Sequence, residues 1–195
     1  MYFRHGKFFW LLLAAALLFL LAGGARAAEF SSVIVTNSHG QERLGKIYVQ
    51  GDNIRREFAT PLGNMVIVVR GDKKVMWMLQ PGQQSYLEMP FDKEALSKTL
   101  SLPKDEASKK LVGTETLKGY ATDKYETSVK TGSGDLQGTM WVSKQLGVPI
   151  RIETADKSFV QEYKDIKEGG VDAALFELPQ GYQKMAGPPG AAKMK

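Results

Sequence analysis

The sequence predicts a mostly β fold. About eleven strands form a strongly curled antiparallel sheet, an unclosed β-barrel, with one amphipathic helix plugging its concave face. Short β-type runs separated by turn residues recur along most of the 195 residues. The central runs are apolar on both faces of the strand, so each face needs a cover. A single segment has the pattern of a helix, and strongly twisted sheets of more than ~10 strands curl or split.

The central runs form a predicted three-stranded meander. Its strands are Met65–Arg70, Lys74–Gln80 and Gln84–Glu88. Turn-forming residues separate them, with Gly71-Asp72 after the first and Pro81-Gly82 after the second. The first two runs are apolar at odd and even positions alike, which a sheet with one wet face would not show.

Eight further strands flank the meander. They are predicted at Phe30–Asn37, Gln41–Gln50, Ile54–Ala59, Leu111–Leu117, Tyr120–Lys130, Leu136–Ser143, Val148–Thr154 and Ser158–Ile166. Pro149 cannot donate a ladder hydrogen bond, so we expect it at the start or edge of its strand. After Gly169-Gly170, residues 171–179 read as a short turn followed by an extended piece.

The predicted helix runs from Lys93 to about Ser101. Asp92 is a good N-cap, and Pro103 ends the helix. Leu96 and Leu100 share one face because they lie four positions apart. About nine residues are too few for a stable isolated helix, so we expect a lid that the sheet holds and that can open.

The N-terminal residues predict export. A basic start, an apolar run at Phe8–Ala22 and the small-x-small site Ala25–Ala27 are typical of a secretory signal peptide. We expect cleavage after Ala27, a domain over residues 28–185, a disordered tail over 186–195, and a periplasmic location.

Composition excludes several functions. The chain has 26 basic and 21 acidic residues, but three of the basic ones precede residue 28, so the remainder is nearly balanced and gives no case for nucleic-acid binding. No cysteine is present, which excludes a thiol nucleophile, a cysteine metal site and lipidation of an N-terminal cysteine. We therefore expect a soluble protein once the signal peptide is removed.

Several motifs resemble the LolA/LolB-like superfamily of periplasmic lipoprotein localisation factors. They are Gly45–Val49, Asp72–Trp77, Val171–Phe176 and Pro179–Gly181. Trp141–Arg151 and Leu111–Thr116 are similar, more closely, to the uncharacterised bacterial domain of unknown function 4412. The resemblance implies an unclosed β-barrel with helices plugging an apolar cavity, and carriage of acyl chains. The chain departs from the LolA pattern because strand character begins at Phe30, with no preceding lid helix.

No catalytic motif supports an enzyme. The sequence has no Gly-x-Ser-x-Gly elbow, phosphate loop or His-Glu-x-x-His motif. The one histidine after residue 27, His39, lies in a turn composition, so we interpret it as a solvated loop residue. We predict no enzymatic activity, no cofactor and no metal.

The apolar residues predict a binding surface. Strand parity, together with the helix, gives one concave ligand-binding set: Ile67, Val69, Val75, Trp77, Leu79, Leu96, Leu100, Tyr125, Met140, Val142, Ile150 and Ile152. The methionines at 65, 76, 78 and 140 suit ligands of varied shape. Taken one by one, all of these side chains could equally fill a core.

Two functions stay open. The first is a periplasmic carrier or chaperone that binds an acyl chain, lipoprotein or other apolar ligand, with a transient membrane-protein partner in the envelope. The second is a non-catalytic structural or protein-interaction module of the cell envelope whose cavity its own side chains fill. For both we expect a monomer without nucleic acid.

Overall fold

The computed structural model describes residues 29–61, 63–91, 109–131 and 134–186. The predicted signal peptide, the predicted helix with Leu96 and Leu100, and residues 187–195 of the predicted tail lie outside the described residues. The chain divides into two compact units. Among the described residues, the first unit contains 29–37, 41–91 and 163–186, and the second contains 38–40 and 109–162.

Twelve strands account for most of the described residues. They are β1 (Glu29–Ser38), β2 (Gln41–Gln50), β3 (Asn53–Thr60), β4 (Gly63–Arg70), β5 (Val75–Gln80), β6 (Ser85–Pro90), β7 (Lys109–Leu117), β8 (Tyr120–Thr131), β9 (Gly134–Ser143), β10 (Pro149–Thr154), β11 (Phe159–Glu168) and β12 (Gln183–Lys184). The only helical turns in the described ranges are 3₁₀ turns at Pro81–Gln83 and Ala173–Phe176. The mostly β class and all eleven predicted strands are confirmed, and β12 is the addition.

The hydrogen-bonded strand order is β12-β6-β5-β4-β3-β2-β1-β11 in the first unit and β11-β10-β9-β8-β7 in the second. Strand β11 crosses the boundary at Glu162/Tyr163. The pairs from β2 to β6 and from β7 to β11 are antiparallel. The β12–β6 pair is parallel, which corrects the expectation of a wholly antiparallel sheet.

Residues with a left-handed backbone conformation form two tight hairpin turns between predicted strands. His39 and Gly40 have φ of 51° and 79°, and Lys118 and Gly119 have φ of 55° and 84°. Two successive residues with positive φ match the twist of the flanking strands in a two-residue hairpin. Pro149 is the first residue of β10, as predicted.

Strand β4 is buried on both of its faces, as its apolar sequence predicts. Its residues from Val66 to Arg70 are all buried, at odd and even positions alike. A strand with one wet face would alternate. Residues on both faces of β4 are therefore shielded from water.

Candidate functional site

The register of β4 and β5 sorts the central apolar residues of the first unit onto two faces. Val68 lies opposite Trp77, whereas Ile67 lies opposite Met78. The tryptophan face has as its buried apolar members Val66, Val68, Trp77 and Leu79. The methionine face comprises, on β3 to β6, Ile54, Arg56, Phe58, Met65, Ile67, Val69, Met76, Met78, Leu87 and Met89.

The sequence prediction of one shared surface is wrong for the first unit. Ile67 and Val69 lie on the methionine face. Val75, Trp77 and Leu79 lie on the tryptophan face, because they pair with even-numbered residues of β4. Opposed residues of an antiparallel pair point to the same side of the sheet. These residues therefore form two sets, one on each side of the sheet.

The chain itself covers the tryptophan face. The C-terminal segment, which we define as Val171–Leu178, packs on this face through Val171 and Phe176, and Phe176 is only 1% exposed. Six partly buried residues complete the cluster, namely Tyr48, Val75, Tyr86, Leu175, Leu178 and Tyr182. This face is filled by the protein's own side chains.

Polar side chains of three strands hold the backbone of the C-terminal segment. Glu29 Oε1 accepts a hydrogen bond from Val171 N at 2.9 Å, and Gln50 Nε2 donates to Val171 O at 3.1 Å. Arg55 Nη1 donates to Leu175 O at 3.0 Å. The segment contains the 3₁₀ turn Ala173–Phe176 and is not part of the sheet. These side-chain bonds satisfy backbone groups that would otherwise be costly to bury.

Arg70 anchors the end of the segment. Its guanidinium donates to Phe176 O at 3.3 Å and forms ion pairs with Asp72 at 2.6 Å and Glu177 at 2.5 Å. Lys73 Nζ also pairs with Glu177, at 3.0 Å. The hydrogen bond to Asp72 is the main cause of a raised Arg70 pKa. The Arg70 guanidinium in turn lowers the pKa of both carboxyl groups, with a further contribution from Lys73 at Glu177.

A second polar group lies beside Trp77, where β12 pairs with β6. Trp77 Nε1 donates to Glu88 Oε2 at 3.0 Å, and Lys184 Nζ of β12 pairs with Glu88 Oε1 at 2.6 Å. Hydrogen bonds from Lys184, and secondly from Trp77, lower the pKa of Glu88. Lys73 Nζ lies 5.9 Å from the centre of the Trp77 ring.

The methionine face is apolar across three neighbouring strands. Met76 lies opposite Val69 on one side and Met89 on the other, and Met78 lies between Ile67 and Leu87 in the same way. Ile67, Val69 and Met78 are buried, whereas Met65, Met76, Leu87 and Met89 are half-buried. Flexible thioether side chains therefore line one side of the β4–β6 meander.

A buried arginine also lies on the methionine face. Arg56 pairs with Ile47 on β2 and Ile67 on β4, and it is 4% exposed. Burial lowers the pKa of Arg56, and the electrostatic interaction with Tyr163 raises it by a smaller amount. Burial likewise raises the pKa of Tyr163, whose ring centre lies 6.2 Å from that of Phe30.

The second unit brings its predicted residues together. Tyr125 of β8 lies opposite Met140 of β9, which lies opposite Ile152 of β10. Val142 is two positions from Met140 and shares its face, while Ile150 lies at a register irregularity of β10. Met140 and Ile150 are buried, and the other three are half-buried. This apolar face belongs to a different unit from the meander.

Trp141 lies on the opposite face of the second unit, among charges. Lys124 Nζ and Arg151 Cζ lie 5.1 and 5.4 Å from its ring centre. Its indole N–H donates to Glu115 Oε1. Cation–π contacts and a satisfied indole explain why a large aromatic residue is buried on a charged strand face.

His39 is exposed in the β1–β2 turn, as predicted. In the part of the chain that the structure describes, no group of three acidic, histidine or cysteine residues could hold a metal ion. Nor do the described ranges contain a helix with the length and apolarity to cross a membrane.

One protein family matches a large part of this chain. The family described as Domain of unknown function (DUF4412) matches residues 33–148, which is more than half of the chain. The chain belongs to the DUF4412 family. The match confirms the resemblance that the sequence motifs indicate. Among the curated proteins, no sequence matches this DUF4412 chain.

Solved structures are similar to this DUF4412 chain at low sequence identity. An uncharacterized conserved protein from Thermus thermophilus is 14% identical, with a TM-score of 0.57, over 92% of this chain and 98% of its own. A chain of the Pseudomonas aeruginosa MucA/MucB complex is 15% identical, with a TM-score of 0.50, over 82% of this chain and 58% of its own. A LolA superfamily protein from Nitrosomonas europaea is 14% identical, with a TM-score of 0.36, over 84% and 97%. At such identities the likeness concerns the fold alone, and this chain spans less than two thirds of the MucA/MucB complex chain.

Sequence reasoning missed the C-terminal segment and Arg70. The apolar spacing of Val171, Leu175 and Leu178 is a signal that the segment packs against something. Arg70, at the end of an otherwise apolar strand, is a signal that a carboxylate lies nearby. Asp72, two positions from Arg70, is one such carboxylate. Neither signal identifies the contacts between Arg55 or Arg70 and the C-terminal segment, because those residues are more than 100 positions apart.

Proposed function

We propose that this DUF4412 protein is a non-catalytic carrier or chaperone of the periplasm that binds an apolar ligand on its methionine face. The ligand class is an acyl chain, as a free lipid or as part of a lipoprotein. One observation carries the proposal. Half-buried methionines line one side of the meander, while the C-terminal segment fills the other side.

Methionine suits this role physically. Its unbranched thioether side chain adapts to irregular shapes and is polarisable, so it contacts chains of different length and branching. Covering apolar area contributes roughly 25 cal/mol per Å² removed from water. Met76 and Met89 lie opposite each other on β5 and β6 and are both half-buried, so a ligand can still cover part of their surface.

The proposed site includes some of the sequence-predicted residues and leaves out others. Ile67 and Val69 belong to it, and the apolar face around Met140 in the second unit stays a second proposed contact surface. Val75, Trp77 and Leu79 are left out because the C-terminal segment packs on their face. Leu96 and Leu100 stay sequence predictions.

Periplasmic location rests on the predicted cleavage after Ala27 and the absence of cysteine. We further propose that the carrier acts as a monomer, without cofactor or nucleic acid, and exchanges its ligand through a transient envelope membrane-protein partner.

Ligand binding tests the proposal directly. The M76Q/M89Q double variant keeps side-chain length but makes two half-buried positions polar. We expect it to bind fluorescently labelled palmitate about tenfold more weakly than the natural chain, corresponding to roughly 1.4 kcal/mol. Val75→Thr is the matched control, since it introduces a polar atom at a neighbouring half-buried position of the tryptophan face. Equal affinity in all three proteins, or a loss confined to Val75→Thr, would contradict the proposal.

A second candidate is an interaction module of the cell envelope that fills its own cavity. Phe176 and the C-terminal segment already fill one face in this way, and a chain of the MucA/MucB complex is similar in fold. Native mass spectrometry and lipid extraction of protein purified from the periplasm distinguish the two. If the protein is a carrier, the purified protein should contain bound lipid. If it is an interaction module, the purified protein should contain none.

A further inference from the structure

Two exposed apolar side chains are neighbours on strand β7 of the second unit. Leu111 is 54% exposed and Val112 is 40% exposed. In the described ranges, the one other large apolar side chain with such exposure is Leu44 on β2, at 61%. A single exposed apolar residue is ordinary on a protein surface, whereas adjacent ones form a patch that water hydrates poorly. We call Leu111 and Val112 the β7 patch.

A β-bulge lies at the β7 patch. Leu111 pairs with Tyr125 of β8 and Gly113 pairs with Lys124, so Val112 is an extra residue with no position opposite it. Strand β7 is also the last strand in the order of the described sheet. Because a bulge interrupts the ladder and redirects a side chain, this edge is a poor template for an added protein strand. The two exposed side chains therefore suit a partner that needs no backbone ladder.

Lysines border the β7 patch. Lys109 and Lys110 directly precede it in the sequence, and Lys110 is exposed. The nearby acidic residues are Glu126, which lies opposite Lys110, and Glu115, whose carboxylate accepts a hydrogen bond from the Trp141 indole. Lysine beside exposed apolar side chains fits a lipid surface, because its methylene stem lies along apolar material while its ammonium group binds lipid phosphate.

We propose that the β7 patch is a contact surface for anionic phospholipid membranes. Leu111 and Val112 enter the headgroup boundary, and Lys110 binds lipid phosphate groups. The entry is shallow, because polar backbone groups at the edge of a sheet cannot be placed in hydrocarbon. The contact is also reversible, because two side chains bury little apolar area. Such a contact brings the protein to a lipid surface without a membrane-spanning helix.

Vesicle sedimentation tests the proposal. The protein is used without the predicted signal peptide, because the apolar run Phe8–Ala22 would bind vesicles by itself. The vesicles contain phosphatidylcholine and phosphatidylglycerol in equal amounts. We expect the L111Q/V112Q variant to bind them about tenfold more weakly than the natural chain. Leu44→Gln is the matched control, since it removes an exposed apolar side chain from β2 and should bind like the natural chain.

The contribution of charge is tested at low salt. Lys110→Gln should bind these vesicles about fivefold more weakly than the natural chain, because a lysine near an anionic surface is attracted to it. The difference should vanish on vesicles of pure phosphatidylcholine. Lys157→Gln removes a lysine from an exposed position between β10 and β11 and should have little effect. Equal losses in both lysine variants would overturn the assignment to Lys110.

A fluorescent label locates the contact in a chain that keeps Leu111. The sequence has no cysteine, so Val112→Cys provides one attachment site for the environment-sensitive fluorophore NBD. Vesicles should shift its emission to the blue, and they should leave a label at Leu44→Cys unchanged. The proposal is overturned if the natural chain does not bind vesicles or if L111Q/V112Q binds equally well. A blue shift at Leu44→Cys without one at Val112→Cys would overturn it too.

The membrane contact and the methionine face can be tested separately. Palmitate binding is measured without vesicles, and the β7 patch belongs to a different unit from the β4–β6 meander. L111Q/V112Q should therefore bind palmitate like the natural chain. Loss of vesicle binding with normal palmitate binding supports the membrane contact, and equal loss of both would overturn it.

Discussion

Arg70 and Glu177 lie 107 positions apart in the sequence, and their side chains form an ion pair beside the tryptophan face. The same guanidinium donates to Phe176 O. One buried arginine thus holds both the backbone and a side chain at the end of the C-terminal segment. The segment is consequently part of the folded core of the first unit, although it contains no long strand or helix.

Removal of the Phe176 ring should destabilise the protein strongly. Phe176 is 1% exposed and packs on the tryptophan face. Phe176→Ala deletes a buried ring and leaves a cavity, which typically costs about 3–5 kcal/mol of unfolding free energy. Urea denaturation followed by circular dichroism measures this loss.

The control for that experiment is Leu44→Ala. Leu44 is 61% exposed on β2, so its truncation should change the unfolding free energy by less than about 0.5 kcal/mol. If Phe176→Ala were as mild as Leu44→Ala, the C-terminal segment would not be core.

Acid should weaken the anchor at Glu177. Its pKa is lowered in the folded state, mainly by Arg70 and then by Lys73. A carboxyl group whose pKa is lower in the folded than in the unfolded state stabilises the fold when the pH is above its unfolded pKa. This stabilisation is lost as the pH falls through its folded pKa. Glu177→Gln should therefore lower the urea midpoint at pH 7, and the difference from the natural chain should shrink below about pH 4.5.

Glu42→Gln serves as the charge control for Glu177. It removes one negative charge from an exposed position of β2. A pH-dependent difference of equal size in both variants would show that net charge, and not the Arg70 contact, is responsible.

Gly138 should not tolerate a side chain. A Cβ at this position of β9 would lie 2.6 Å from Glu153 O and 3.5 Å from Thr154 Cα, and both are backbone atoms that cannot move aside easily. Gly138→Ala should therefore cost about 1–3 kcal/mol, as overpacking usually does. Gly113→Ala on β7 meets no atom within 4 Å and should be close to neutral by the same denaturation assay. Similar losses at both positions would indicate a propensity effect instead.

The fluorescence of Trp77 should show a buried side chain that does not contact a ligand. It is 6% exposed and lies on the face that the C-terminal segment covers. In a Trp141→Phe chain without the signal peptide, Trp77 is the one remaining tryptophan. Its emission should be blue-shifted, poorly quenched by iodide and unchanged by long-chain fatty acid. A large spectral response to fatty acid would place the ligand on the tryptophan face and contradict the assignment to the methionine face.

The sequence by itself determined the succession of strands and turns. The predicted strand Gln41–Gln50 has the bounds that the structure shows, and Lys118-Gly119, between the predicted strands Leu111–Leu117 and Tyr120–Lys130, forms a turn. Local chemistry is sufficient there, because turn residues and β-type runs act over a few neighbouring positions. The apolar character of β4 at odd and even positions also predicts correctly that this strand is buried on both faces.

Only the tertiary structure decided which residues share a face. The β4–β5 turn pairs Arg70 with Val75, so even-numbered residues of β4 lie opposite odd-numbered residues of β5. The sequence prediction joins odd with odd, and a register change of one residue moves every side chain to the other side of the sheet. The cover of the tryptophan face was likewise beyond local reasoning. Phe176 lies in one buried cluster with Val68 and Trp77, which are about half the chain away in sequence, and the sequence near Phe176 holds no information about where it docks.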